Sequence, residues 1–350
     1  MIYESIQWIE DIDKVLGVLP ELDYIAGKSV MITGAAGLIC SSIVDVLFRY
    51  NDTHDIPIHI YAAGRRMEEM SARFGNQINR DDFTFVVYDA SKTNNKLDIH
   101  VDYIIHGAGN AFPDLIIKEP VETMLCNFTG IKYLLDYAKE YGVKRVLYIS
   151  SSEVYGNKEG NEPYHEEEYG YIDLLNSRNS YSIGKRAAET LCASYAAEYR
   201  VEVTVVRPGH IYGPTASPHD NRVASSWAYA AARGEDIVMK SDGEQIRSYC
   251  YSLDCASAMI KVLLTGESIR AYNISNPDSI ITIKNLAEIL AKSAGVGLRM
   301  EIPTDNEKKG FNPMHNSSLE SKCLLELGWI GCFSAEEGLS HTVSILREIL

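Results

Sequence analysis

Six short runs of apolar, mostly β-branched residues, separated by helical stretches, constrain the fold of this chain most. The runs are Ser29–Thr33, Ile58–Ala62, Phe83–Tyr88, Tyr103–His106, Val146–Ser150 and Val203–Val206. Strands that are apolar on both faces and alternate with helices are typical of a parallel sheet covered by helices on both sides. The pattern therefore predicts an α/β protein with a doubly wound parallel sheet, in which ligands bind at the carboxyl ends of the strands.

The predicted division of the chain into domains follows from where the alternation of strands and helices is regular and where it becomes irregular. Residues 1–27 carry apolar side chains at near-helical spacing and predict an N-terminal helical extension. Residues 28–207 predict a dinucleotide-binding Rossmann domain, to which the chain returns near 245–275. Residues 208–244 and 276–350 predict a smaller C-terminal substrate-binding lobe.

The acidic composition excludes several classes of partner. The chain has 350 residues and a formal net charge of −15, which would repel a phosphate backbone, so we expect no nucleic-acid partner. Seven scattered cysteines without C-x-x-C spacing favour reduced thiols over disulfides or zinc. No apolar run has transmembrane length, and the acidic N-terminus does not resemble a signal sequence. We therefore expect a cytoplasmic protein with no membrane partner. The nine histidines lack the spacing of metal ligands, and no metal site is expected.

A glycine-containing turn joins the first predicted strand to a helix. After Thr33 the sequence reads GAAGLIC, and a helix is predicted at Ser41–Tyr50. Such turns can be purely structural, but glycine after a strand and before a helix lets the backbone approach a pyrophosphate at the helix N-terminus. The predicted phosphate-binding residues are Gly34, Ala36, Gly37, Leu38 and Ile39. Cys40 replaces the usual third small residue, so either the helix lies further from the strand or the thiol fits a close contact.

The residues after the second and third predicted strands concern the choice of cofactor. No acid follows the second strand, although an acid there would hold the ribose hydroxyls of NAD. Arg65 and Arg66 follow instead, and guanidinium groups at this point suit the 2′-phosphate of NADP. The alternative is that both arginines are solvated loop residues. Asp89, after the third strand, is predicted either to accept a hydrogen bond from adenine or to cap a helix.

Hydroxyl, carboxylate and cationic side chains meet the requirements of acid–base catalysis. Tyr181 and Lys185 are four residues apart on a predicted helix and therefore share one face. A nearby ammonium favours the phenolate form of a tyrosine, which can then act as a general base. Ser151 and Glu153 follow a predicted buried strand and would lie at the carboxyl edge of the sheet. Without the tyrosine and lysine, the serines would be read as turn-forming residues.

Six motifs in order carry a family resemblance over nearly the whole chain. They are GAAGLIC, HGAG (residues 106–109), NFTG (residues 127–130), SSSEVYG, YSIGK and RPGHIYGP (residues 207–214). The order resembles the extended short-chain dehydrogenases/reductases of the NAD-dependent epimerase/dehydratase type, which act on nucleotide sugars. The resemblance implies that Ser151 is a catalytic hydroxyl and that Tyr181 is the base. It implies that Lys185 lowers the tyrosine pKa and holds the nicotinamide ribose.

The resemblance also implies further cofactor contacts and an assembly. The additional residues expected at the cofactor are Ala90, His106, Gly107, Ala108, Asn127 and Pro208. The expected partner is a nucleoside-diphosphate sugar. Relatives commonly form homodimers through two helices, here near residues 119–141 and 181–199. Leu191, Tyr195 and Ala196 could form that seam or could belong to the core.

In the family that the chain resembles, the reaction begins with oxidation of the sugar, usually at C4. The residues beside the expected catalytic serine indicate which reaction follows this step. Ser152-Glu153 is similar both to UDP-glucuronate decarboxylases and to GDP-mannose 4,6-dehydratases. The stretches around Arg222 and Arg247 resemble the decarboxylases, and this favours decarboxylation after oxidation. A 4,6-dehydratase, a 4-epimerase and a non-catalytic NAD(P)-binding sensor or scaffold stay open. The decarboxylases normally bind NAD, whereas Arg65 and Arg66 favour NADP.

His210 departs from the asparagine that the decarboxylases usually have at its position. The residues expected to bind the substrate are Ser152, His210, Arg222 and Arg247. His210 is expected to contact the substrate diphosphate. Because histidine ordinarily titrates at about pH 6.5, substrate binding is predicted to depend on pH near that value, and His210→Asn is predicted to flatten the dependence.

Overall fold

The computed structural model describes residues 2–304 and 314–350, in which strands and helices alternate as the sequence predicts. The strands are β1 Ser29–Thr33, β2 His59–Gly64, β3 Phe83–Val87, β4 Tyr103–His106, β5 Arg145–Ile149, β6 Val203–Pro208, β7 His210–Tyr212, β8 Ile237–Met239, β9 Ile246–Tyr251, β10 Ala271–Ile274, β11 Ile280–Thr282, β12 Leu298–Met300 and β13 Asn316–Ser317. The helices are α1 Ile6–Leu16, α2 Leu38–Thr53, α3 Met67–Phe74, α4 Pro113–Lys118, α5 Pro120–Tyr141, α6 Ser180–Tyr199, α7 Val223–Ala232, α8 Ser252–Thr265, α9 Ile283–Ala294, α10 Lys322–Glu326 and α11 Ala335–Ile349.

A parallel sheet of seven strands is the centre of the fold. Its order is β10-β6-β5-β4-β1-β2-β3, and every neighbouring pair is parallel. The chain runs outward from β1 toward β3 and, on the other side, from β4 toward β10. The direction of winding therefore changes between β1 and β4, and at such a switch point a crevice opens above the carboxyl ends of the strands. The predicted doubly wound Rossmann sheet is confirmed.

Both faces of this sheet are buried, which explains the continuous apolar strands. Along β1, Val30 and Ile32 belong to the core on one face, while Met31 belongs to the core on the other. The first core contains residues of α1, α2 and α8, and the second contains residues of α5 and α6. Successive side chains of a strand point to opposite faces, so a strand covered on both sides must be apolar at every position.

A smaller sheet accompanies the main one. In it β9 pairs with β7, β11 and β13, and β8 separately pairs with β12. Of the segment near 245–275, β10 joins the main sheet, while β9 lies in the smaller one. Helix α8, between them, packs against strands of both sheets. The division into a Rossmann domain and a substrate lobe stays a prediction.

The N-terminal helix packs on the main body through buried polar contacts as well as apolar ones. Ser5 caps α1 by accepting a hydrogen bond from the backbone N–H of Trp8. Asp11 is buried, accepts a hydrogen bond of 2.9 Å from the Tyr251 hydroxyl, and lies 2.9 Å from Nδ1 of His341. Helix α1 thereby joins β9 to α11. Within the described residues, no helix has both the length and the apolar character needed to cross a bilayer.

Candidate active site

The glycine turn after β1 is built to bring the backbone close to a ligand. Gly34 has φ of +69°, and its N–H donates to the Ala63 carbonyl at 2.9 Å. A Cβ at Gly34 would lie 3.0 Å from the backbone nitrogen of Ala108, so the position admits only glycine without rearrangement. Helix α2 begins at Leu38, earlier than the predicted Ser41, with Gly37 as its N-cap. The N–H groups of this first helical turn have no acceptor within the helix and can bind a phosphate.

Cys40 fits the turn through a close contact with a glycine that directly follows β4, the neighbour of β1 in the sheet. A Cβ added at Gly107 would lie 2.3 Å from the Cys40 Sγ, so the missing side chain of Gly107 provides the space for the thiol. Burial raises the pKa of Cys40 to about 12, and the thiol stays protonated at neutral pH. The sequence allowed either a helix further from the strand or a close contact of the Cys40 thiol, and the structure shows the close contact.

The residues predicted to bind the adenosine half of the cofactor differ in whether their side chains already have partners within the protein. Arg66 is paired with Glu69 on α3, whereas the exposed Arg65 has no hydrogen-bond or ion-pair partner within residues 2–304 and 314–350. Asp89 accepts hydrogen bonds from the N–H and hydroxyl of Ser91 at 3.0 and 2.7 Å. It therefore caps a turn and no helix. Ala90 is buried beneath Gly130 of α5, where a Cβ would lie 2.8 Å from that of Ala90.

His106 is placed differently from its predicted role. The residue is 1% exposed, and its Nδ1 lies 2.7 Å from the Thr33 hydroxyl. Burial lowers the pKa of His106 to about 3, so the ring is neutral. The imidazole is packed between β1 and the stacked ring of Tyr148, and its Nε2 has no hydrogen-bond partner in the described part of the chain. The reason is the period of the strand, which directs residue 106 into the second core.

The other predicted cofactor residues lie around the same crevice. Ala108 donates its backbone N–H to the Thr33 hydroxyl at 3.2 Å. Asn127 is buried on α5 and donates to the Thr123 carbonyl at 2.8 Å, while its Oδ1 has no partner in the described part of the chain. Pro208 is the buried last residue of β6. Asn127 therefore keeps one acceptor for a group that enters from the crevice.

The catalytic set predicted from the motifs comes together at the carboxyl end of β5. Lys185 donates from Nζ to the Ile149 carbonyl at 2.7 Å, and Nζ lies 5.7 Å from the Tyr181 ring centroid. Ser151 follows the strand and hydrogen-bonds Tyr181. Tyr181 and Lys185 are 8% and 6% exposed. Burial lowers the pKa of Lys185 to about 8.

The protonation of Tyr181 differs from the expectation. Burial, and after it the charge of Glu153, raise the pKa of Tyr181 above its ordinary value. The hydrogen bond with Ser151 and the charge of Arg222 lower it, but burial is larger. Tyr181 is therefore a neutral phenol in the protein without ligands, and the phenolate that the neighbouring ammonium is expected to favour stays a prediction for the loaded site. A phenolate loses more hydration in this buried position than these contacts return.

Glu153 is held by two residues to which the motif analysis gave no role. Arg178 approaches both carboxylate oxygens, with its two terminal nitrogens at 3.3 Å each. Ser182 donates its hydroxyl to Oε2 at 2.9 Å. Arg178 precedes α6 and Ser182 lies in its first turn, so both reach Glu153 only because α6 packs beside the end of β5. Ser182 could have been found from its place beside Tyr181, whereas Arg178 carried no sequence signal.

The residues predicted to bind the substrate form a cationic cluster around His210. Burial, and then the charges of Arg247 and Arg222, lower the pKa of His210 to about 4. Arg247 is buried, and its two terminal nitrogens donate to the carbonyls of Met314 and His315 at 3.0 and 3.2 Å. Both nitrogens therefore already have acceptors within the protein. Arg222 is paired with Asp220 and partly exposed. Ser152 is partly exposed and makes no side-chain hydrogen bond to the described residues.

The lowered pKa of His210 changes the predicted pH dependence. The ring is neutral well above about pH 4 in the free protein, and protonation as the pH falls through that value would add a positive charge beside Arg247 and the Arg222–Asp220 pair. We expect kcat/KM of the parent and of His210→Asn to follow the same course from about pH 6 to about pH 8, because kcat/KM reports ionisations of the free enzyme. An inflection near about pH 6.5 that the substitution abolishes would restore the original expectation.

The fold and this site together define an α/β protein with a doubly wound parallel sheet and with serine, tyrosine and lysine side chains grouped at the carboxyl end of β5. The model of the NAD dependent epimerase/dehydratase family matches residues 30–275. UDP-glucuronic acid decarboxylase 1 of Xenopus tropicalis is 31% identical over 327 residues, which are 92% of this chain and 73% of the relative. UDP-glucuronic acid decarboxylase 3 of Arabidopsis thaliana is 31% identical over 310 residues, 89% of this chain and 86% of the relative. The chain belongs to the NAD dependent epimerase/dehydratase family.

The solved structures agree on the fold. UDP-glucose 4-epimerase of Thermotoga maritima has a TM-score of 0.76 with this chain at 23% identity, covering 92% of this chain and 99% of that one. The family is described as NAD dependent, and the glycine cradle at Gly34 and Gly107 with the first turn of α2 fits a nicotinamide dinucleotide. The orphaned Oδ1 of Asn127 provides a further polar contact.

Proposed function

We propose that this protein is a UDP-glucuronate decarboxylase, which oxidises the sugar at C4 and then removes its carboxyl group as CO₂. The observation that carries the proposal is the grouping of Ser151, Glu153, Tyr181 and Lys185 at one end of β5, in a chain whose relatives are named for this reaction. The charges of Arg222 and Arg247, with the neutral His210 between them as a possible hydrogen-bond donor, support a diphosphate ligand.

The proposed chemistry assigns a task to each residue. When bound, the oxidised nicotinamide supplies a hydride acceptor for C4 and later returns the hydride. The phenolate form of Tyr181, which Lys185 stabilises, takes the proton of the C4 hydroxyl, and Ser151 donates a hydrogen bond to the same sugar oxygen. The 4-keto acid then loses CO₂: the C5–C6 bond breaks, and its electron pair passes to the C4 oxygen as an enolate that Ser151 and Tyr181 stabilise. Glu153 positions the proton source for C5.

The test compares three substrates on the cofactor-loaded protein. UDP-glucuronate, GDP-mannose and dTDP-glucose are incubated separately, and the products are weighed by mass spectrometry. We expect loss of CO₂ from UDP-glucuronate alone. Loss of water from either of the other two would assign a dehydratase. No change of mass with any of the three would refute decarboxylation and favour an epimerase or the non-catalytic role.

For the cofactor, we propose that Arg65 enables the site to bind NADP. Its guanidinium is exposed and unpaired among the described residues, whereas that of Arg66 is held by Glu69. Arg65→Ala is expected to weaken NADP binding about tenfold and to leave NAD binding unchanged, because only NADP has the 2′-phosphate. Arg66→Ala is the matched control and should change neither affinity. Titration calorimetry with each dinucleotide would contradict the proposal if both variants behaved alike.

We propose a homodimer that forms through α5. Tyr195, predicted in the seam, is buried within one chain, and its hydroxyl donates to Asp136 of α5. The exposed face of α5 instead carries Val121, Leu125 and Phe128, of which Leu125 is 52% exposed. These residues share one helical face and suit a self-complementary apolar contact. The protein is also proposed to be cytoplasmic, since its seven cysteines are free.

The dimer is tested by Leu125→Glu, which places a charge in the centre of the proposed contact. Sedimentation velocity is expected to give a dimer for the parent and a monomer for the variant, since a buried unpaired carboxylate is strongly unfavourable. Tyr24→Glu, at an exposed position outside α5, serves as the control and should remain dimeric. A monomeric parent would overturn the assembly.

A further inference from the structure

The carboxylate of Glu153 is exposed on one side and held on two others. Arg178 spans both oxygens, and Ser182 donates to one of them. The side chains of Glu153 and Arg178 are 40% and 39% exposed, so the pair lies at the wall of the crevice and is not buried in the core. These contacts fix the carboxylate, and with it a negative charge, two residues beyond the catalytic Ser151.

This charge would oppose the substrate of the proposed reaction. A uronate sugar carries its own carboxylate on C5, next to the C4 carbon that Ser151 and Tyr181 must reach. Like charges in a partly desolvated site repel, and the effect grows as water is excluded. A site that contains Glu153 alone would thus select against a sugar acid and would favour a neutral sugar.

Arg178 provides the compensating charge at the right place. A guanidinium has five N–H donors, and Glu153 engages one on each terminal nitrogen. No other side chain of the described residues binds the remaining donors of Arg178.

We propose that Arg178 is a positioning residue that holds Glu153 and neutralises its charge, and that it thereby admits a sugar bearing a carboxylate to this site. The inference rests on the proposed function. It assigns the preference for a sugar acid to an ion pair between the loop before α6 and the turn after β5.

The experiment measures binding of UDP-glucuronate and of the neutral UDP-glucose to the cofactor-loaded protein by titration calorimetry. Arg178→Gln is expected to weaken UDP-glucuronate binding at least about tenfold, while UDP-glucose binding changes less than about threefold. Arg178→Lys, which keeps the charge but loses the fork, should fall between parent and Arg178→Gln. Arg49→Gln is the control, because Arg49 makes a similar two-pronged pair with Asp13 at the far end of α2 and should change neither affinity.

A double variant distinguishes repulsion by the Glu153 charge from a structural disturbance caused by the loss of Arg178. If Glu153 repels the sugar acid when Arg178 is absent, Glu153→Gln in the Arg178→Gln background removes the repulsion and should recover most of the UDP-glucuronate affinity. Equal losses for the two nucleotides, or no recovery in the double variant, would overturn the inference while leaving the proposed function intact. A parent that binds UDP-glucose but not UDP-glucuronate would overturn both.

Discussion

Tyr181→Phe is expected to lower turnover of the proposed substrate by about 10²–10⁴-fold, the range that a positioned general base contributes. The loss of turnover would be due to the missing hydroxyl alone, because the Tyr181 ring is 8% exposed and phenylalanine keeps the packing of that ring. Only the hydrogen bond with Ser151 disappears, so the free energy of unfolding should change by about 1 kcal/mol or less. CO₂ release, cofactor content and thermal unfolding are measured together.

Tyr148→Phe is the matched control for this prediction. Tyr148 is also buried beside Lys185, whose Nζ lies 4.9 Å from its ring, and its hydroxyl has no partner among the described residues. Removal of that hydroxyl should leave turnover close to that of the parent. Retention of more than about a tenth of the parent turnover by Tyr181→Phe would show that another group is the base.

Gly107→Ala is expected to destabilise the protein by about 1–3 kcal/mol, the usual cost of overpacking a core. The new Cβ would lie 2.3 Å from the Cys40 Sγ and 3.1 Å from Cδ1 of Ile149. The first turn of α2, which carries Cys40, would have to move. Cofactor affinity should therefore also fall, by about tenfold or more, because the N–H groups at the start of α2 are the expected donors to the pyrophosphate.

The suppressor of this substitution is Cys40→Ala. Removing Sγ makes room for the new methyl group, so the double variant should regain most of the lost stability and cofactor affinity. Cys40→Ala alone should cost about 1 kcal/mol, from a small cavity. Urea unfolding with and without dinucleotide measures both effects. Failure of Cys40→Ala to rescue Gly107→Ala would mean that the thiol is not the obstacle.

Periodicity was a sufficient guide to the main sheet. The predicted runs at Ser29–Thr33 and Tyr103–His106 coincide with β1 and β4, and the other four agree within a few residues. The start of α2 was misplaced because Leu38 and Ile39 were assigned to the turn, whereas Gly37 is the N-cap. The glycines mark a turn but do not specify which of them ends it. Residues 305–313, within the predicted substrate lobe, lie outside the described residues.

The candidate site divides into residues that motifs can locate and residues that they cannot. Ser151, Tyr181 and Lys185 were predicted because two lie one helical turn apart and the third ends a strand, both of which are local relations. His106 was assigned to the cofactor from its motif, yet its ring lies in the core. Arg178 was missed, since its contact with Glu153 spans 25 residues of sequence.

By itself the sequence determined the strand and helix pattern, the glycine turn and the choice of candidate catalytic groups, because each depends on neighbours within a few residues. Only the tertiary structure decided which charges meet: Arg178 with Glu153, Arg222 and Arg247 around His210, and Cys40 against Gly107. Burial and charge separation act through space, and they set the protonation of Tyr181, Lys185 and His210 regardless of distance along the chain.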